Sequence, residues 1–82
     1  MPPPPYDARA LDRVAAMRCL LASGRARQLR LDARLGLREL ARAARVSPTA
    51  VSQYERGRHA PRPDAALRLA RVYLPLLEAD ET

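Results

Sequence analysis

Eighty-two residues supply one modest core with no room beside it for a deep substrate cleft, which argues against an enzyme. All 15 basic side chains are arginine, and against nine acids they leave a net charge of +6, so a polyanion is the natural partner. A lone cysteine, Cys19, rules out an internal disulfide, and with one histidine it cannot make a four-ligand zinc site; no metal or other cofactor is expected.

The prolines Pro2 to Pro5 lack backbone donors, so residues 1–6 read as a flexible, Pro-rich arm. They carry neither the charged nor the apolar part of a signal peptide, and no apolar run approaches the roughly 20 residues a membrane span needs. A cytoplasmic, nucleoid-associated location is expected, with no membrane partner. Residues 7–22 contain no Pro or Gly, and Leu11, Val14, Ala15, Leu21 and Ala22 keep helical spacing, which predicts a leading helix. Cys19 on that helix reads as a small buried hydrophobe. Ser23 and Gly24 mark a turn, and Arg25 to Arg34 reads as a second helix with Ala26, Leu29 and Ala33 inward.

Gly36 breaks the pattern before Leu37, Leu40, Ala41 and Ala44 repeat at spacings of three and four, predicting a two-turn helix from Leu37 to Ala44. Ser47 followed by Pro48 is a strong helix start, because the hydroxyl satisfies an orphan amide and proline loses no needed donor in the first turn. That helix runs to about Arg56 and is closed by Gly57. Its inward positions are Val51 with Tyr54 or Ala50; Thr49, Ser52, Gln53 and Arg56 project outward. A further helix is expected from Asp64 to about Leu74, with Ala66, Leu67, Ala70 and Tyr73 inward. Pro75 predicts a kink or restart before a last turn at Leu76 and Leu77, and residues 79–82 read as a frayed acidic tail.

The helix from Pro48 to Arg56 carries the functional signal. Its outer face is short-chained and hydrogen-bonding, which suits close approach to base edges in a major groove; glutamine pairs bidentately with adenine, and Ser or Thr meets several bases. Residues 25–62 hold ten arginines against three acids, whereas residues 63–82 hold two against four. The positive field therefore belongs to the two short helices and their flanks. Arg38 and Arg42 lie four apart on one helical face, and with Arg56, Arg58 and Arg62 they can straddle phosphates on both sides of a groove.

The stretch Gly36-Leu-Arg-Glu-Leu-Ala, then Val46-Ser-Pro-Thr-Ala-Val-Ser-Gln-Tyr-Glu-Arg-Gly57, then Pro61 and Leu67-Arg-Leu-Ala70 resembles the Xre family, the Cro and phage-repressor type of helix-turn-helix. The resemblance covers about Arg25 to Leu77. It implies an all-α, five-helix Cro/repressor-like bundle, here over residues 23–78, with the helix at 7–22 as an additional N-terminal element. It further implies base contacts from Pro48, Thr49, Ser52 and Gln53, and phosphate contacts near Leu37 and Arg38 and from Arg56, Arg58 and His59. Arg30 matches a family arginine that pairs with the glutamate at Glu55. Two positions depart from the pattern: Arg45 stands where the family has a turn glycine, and Leu37 where many relatives carry glutamine.

These features predict a prokaryotic or phage transcriptional regulator, a repressor, that binds double-stranded DNA as a homodimer on a near-palindromic operator. The dimer contact can come from the Leu74 to Leu77 end or from Leu11, Val14, Met17 and Leu21 of the leading helix. The rival reading is a protein-interaction module, such as an antitoxin or partner-masking regulator, working through the N-terminal helix. An enzyme lacks paired carboxylates, a nucleophile with its base, and a phosphate-cradling glycine loop.

Overall fold

The computed structural model describes residues 6–81, so the arm expected over residues 1–6 lies outside the described residues except for Tyr6. Five helices follow one another: α1 (Ala8–Ala22), α2 (Arg25–Asp32), α3 (Leu37–Ala44), α4 (Pro48–Glu55) and α5 (Pro63–Glu81). The leading helix is one of the five, because a single α5 replaces the two segments expected after Asp64.

Asp7 starts α1 by accepting the Ala10 amide at 2.8 Å. Val14, Met17 and Leu21 form its buried line, joined in one core with residues of α2, α3, α4 and α5, so α1 belongs to the bundle rather than hanging from it. That line corrects two sequence expectations. Leu11 lies off it and is 51% exposed, so of the four residues offered for a dimer contact on this helix it alone is open, Val14, Met17 and Leu21 being spent on the core. Cys19, two residues beyond Met17, faces away from the core and is exposed.

Alanine fills much of the interior. Ala26, Ala41, Ala44, Ala66 and Ala70 are buried with Leu29, Leu40, Val51, Leu69 and Tyr73, so the short helices approach closely and a core is built from few large side chains. Ala33, expected inward, is exposed, and α2 stops at Asp32 rather than Arg34.

The ends of α2, α3 and α4 share one pattern. The amide five residues on bonds back to a carbonyl in the last turn (Leu35 to Arg30, Val46 to Ala41, Arg58 to Gln53), enclosing a three-residue bond from Arg34, Arg45 and Gly57. The enclosed residue is left-handed in each: φ is 60° at Arg34, 57° at Arg45 and 73° at Gly57. Gly24, with φ 82°, follows α1 with the same left-handed backbone, but there the Arg25 amide donates to the Ser23 hydroxyl instead.

α5 continues through Pro75, where a kink or restart was expected, and through 79–81, where fraying was expected. Packing outweighs the local penalty: Tyr73 is buried, Leu74 and Leu76 rest against the core, and Arg25 pairs with Asp80 near the end. Proline still offers no amide for the Arg71 carbonyl. Pro75→Ala is therefore expected to stabilise the protein by up to about 3 kcal/mol, read as a higher urea midpoint at constant slope.

Candidate nucleic-acid interface

α3 and α4 pack against each other, with Leu40, Ala41 and Ala44 of α3 and Val51 of α4 in the common core and Arg45, Val46 and Ser47 as the connection. Gly36 is extended at φ −74°, and its amide donates to Glu39 Oε1 at 2.9 Å, which fixes the start of α3. The Ser47 hydroxyl accepts the Ala50 amide at 3.1 Å, and Pro48 occupies the first turn of α4.

Val51 and Glu55 are the buried residues of α4. Pro48 and Thr49 are exposed at its start, and Ser52 and Gln53 are half-buried along its side. Gln53 opens onto a groove of about 480 Å³ shared with Tyr54, His59, Arg62 and Arg68. Tyr54 packs partly against the core, consistent with its inward position.

Arginines flank α4 on two sides. On one, Arg38 and Arg42 of α3 are exposed and line a common recess. On the other, the loop after α4 exposes Arg56, Arg58, His59 and Arg62. Leu37 differs from these: its side chain is half-buried against the core, so only its backbone amide, in the first turn of α3, is open to a ligand.

Two supports hold this surface; the first is not visible in the sequence motif, and the second contains the pair of Arg30 with Glu55 that the family resemblance implies. Arg18 of α1 donates from Nε and Nη2 to the Pro61 carbonyl at 3.0 and 2.9 Å, while the Pro61 ring is fully buried. This pins the arginine-rich loop to α1. Tyr6 donates to Asp64 at the start of α5. No spacing rule pairs residues 43 or 58 apart, so only the tertiary structure shows these contacts.

The second support lies beneath α4. Arg30 donates from Nε to Glu55 Oε2 and from Nη2 to Glu55 Oε1, both at 2.9 Å, and from Nη1 to the Leu35 carbonyl at 3.1 Å. Tyr73 donates its hydroxyl to the same Glu55 carboxylate. Arg30 and Glu55 are 8% and 7% exposed, so the last residue of α4 is clamped to α2 and α5 by a buried, fully partnered trio. Tyr73 was expected inward, but its part in this network was not anticipated.

The trio shifts two ionisations. The hydrogen bond that Arg30 donates to Glu55 raises its guanidinium despite the opposing effect of burial. Burial first, then the bond to Glu55, raises the Tyr73 phenol far above its ordinary 10.0. A raised phenol makes its contribution in full below the unfolded value, near pH 10, and loses it as pH climbs toward the folded value. Stability is thus expected to fall above about pH 10, and Tyr73→Phe to flatten that alkaline limb in denaturation series from pH 8 to 11.5.

Among the described residues, no helix is long and apolar enough to cross a membrane. No curated protein and no solved structure gives a significant match to the chain. Residues 22–74, spanning the end of α1 to the middle of α5, match the model of a helix-turn-helix domain family. The chain belongs to this family of Xre/Cro-like helix-turn-helix DNA-binding domains, which points to DNA binding in the regulation of transcription.

Proposed function

We propose that this chain is a sequence-specific regulator, a repressor, that binds a near-palindromic operator as a homodimer with α4 in the major groove. One observation carries the reading: the polar outer face of α4 is flanked by exposed arginines on both α3 and the following loop. Pro48, Thr49, Ser52 and Gln53 read base edges, while Arg38, Arg42, Arg56, Arg58, His59, Arg62 and the Leu37 amide hold phosphates. One copy spans too few base pairs for strong specificity; two copies related by a two-fold axis double the site. Such a role places the protein at the chromosome, in the cytoplasm of a prokaryote or its phage.

Selection of bound sequences from a random duplex pool at physiological salt tests this. A two-fold-symmetric motif preferred by roughly 10³ or more over an unrelated duplex supports the dimeric regulator; weak binding indifferent to sequence removes it. Gln53→Ala is expected to weaken the selected site by roughly 10- to 100-fold and the unrelated duplex hardly at all. If affinity and base preference both stay unchanged in titrations against the two duplexes, the outer face of α4 is not the reader.

A second reading rests on α1, whose Leu11 is 51% exposed. A protein partner seated there would make the chain an antitoxin or masking regulator, with DNA binding retained. Co-purification of a second protein that Leu11→Glu abolishes would favour it.

A further inference from the structure

Four helices are followed by a left-handed residue, and the chain fills these positions in two ways: Gly24 and Gly57 follow α1 and α4, but Arg34 and Arg45 follow α2 and α3, where Arg34 and Arg45 share the hydrogen-bond pattern of Gly57. Left-handed backbone strains any residue with a Cβ, and glycine relieves it. A side chain meets no steric obstacle at the glycine sites either, since a Cβ at Gly24 or Gly57 would find nothing within 4 Å. Local geometry therefore does not select arginine at 34 and 45, and the backbone disfavours it.

What the two arginines share is their place. They are the only non-glycine residues with positive φ among the described residues, and they bracket α3. Both are exposed. Arg18, Arg25 and Arg30 all spend their guanidinium groups on partners within the fold. The side chains of Arg34 and Arg45 form no hydrogen bond or ion pair with any described residue. Arg45 lies just beyond the end of the helix that carries Arg38 and Arg42, and just before the Ser47 cap of α4.

We infer that Arg34 and Arg45 are phosphate-binding residues, holding duplex backbone at the two ends of α3, where strain is tolerated in exchange for a guanidinium. Strain kept where glycine would relieve it is the mark of a functional residue. The inference rests on the DNA-binding reading and deepens it: α3 would be gripped at both ends, by Arg34 before its N-terminus and Arg45 beyond its C-terminus, in addition to Arg38 and Arg42 on its face. Phosphate contacts of this kind fix register and carry no base preference.

Arg34→Gly and Arg45→Gly test it in the full chain, because both changes should leave the fold intact. Each is expected to raise the melting temperature by about 5 °C. Each is also expected to weaken binding to a selected and an unrelated duplex alike, about three- to tenfold, and to flatten the slope of log affinity against log salt by about 1. Arg45→Lys, which keeps both strain and charge, should keep the melting temperature and most of the slope. Glycine variants that bind with unchanged slope overturn the inference while the DNA reading stands, and variants that fail to gain thermal stability overturn it by removing the strain. A wild-type chain that binds neither duplex overturns the DNA reading and the inference together.

Discussion

Glu55→Ala is expected to cost about 3–5 kcal/mol, because it strips the partner from a buried arginine. Arg30 would keep its contact to the Leu35 carbonyl but lose both bonds to the carboxylate, and the Tyr73 hydroxyl would lose its acceptor. A domain of this size is stable by about 5–15 kcal/mol in all, so the loss consumes a large share. The residue also ends α4, so any population that remains folded would present a loosened α4. Equilibrium denaturation with urea, followed by circular dichroism, measures the effect. A loss below about 1 kcal/mol would mean that water enters and solvates the pair. Replacing all three members together, as Arg30→Met, Glu55→Leu and Tyr73→Phe, should cost much less than Glu55→Ala alone, because no buried charge is then left unpaired.

DNA affinity is expected to fall about 10³-fold between 50 and 200 mM salt if about six phosphates are neutralised by each chain. The predicted holders are Arg38 and Arg42 on one side of α4 and Arg56, Arg58 and Arg62 on the other, with Arg34 and Arg45 at the ends of α3. All are exposed, so their charges reach a polyanion without a desolvation penalty inside the protein. Removing Arg38 or Arg58 by alanine substitution should lower the slope by about 1 and weaken all duplexes alike. An affinity that barely responds to salt would instead describe an apolar interface and shift the weight to the protein-partner reading.

Some of this was legible in the sequence for identifiable reasons. Gly36, Ser47-Pro48 and Gly57 punctuate the chain by local chemistry, so α3 and α4 fall within a residue of where spacing puts them. α5 was misjudged because Pro75 carries a strong local signal that the packing of Tyr73, Leu74 and Leu76 overrides. Leu11 and Met17 satisfy helical spacing equally well, and only the neighbours of α1 decide which turns inward. The pairing of Arg30 with Glu55 was reachable only through family resemblance. The third member, Tyr73, and the grip of Arg18 on Pro61 had no signal at all, since both join residues distant in sequence. Arg34 looked like the last residue of a helix, and its left-handed backbone became visible only with the fold.

The alanine-rich interior bears on how the protein can change. Where α3 crosses α4, the spacers are Ala41 and Ala44, methyl groups with nowhere to retreat. Adding carbons there would do more than tax stability; it would wedge the two helices apart and tilt α4 relative to the rest of the bundle. Because bases are read by bonds of fixed length and direction, a few degrees of tilt is equivalent to a different reader carrying the same side chains. On the proposed reading, operator preference would thus shift through buried positions that never approach DNA.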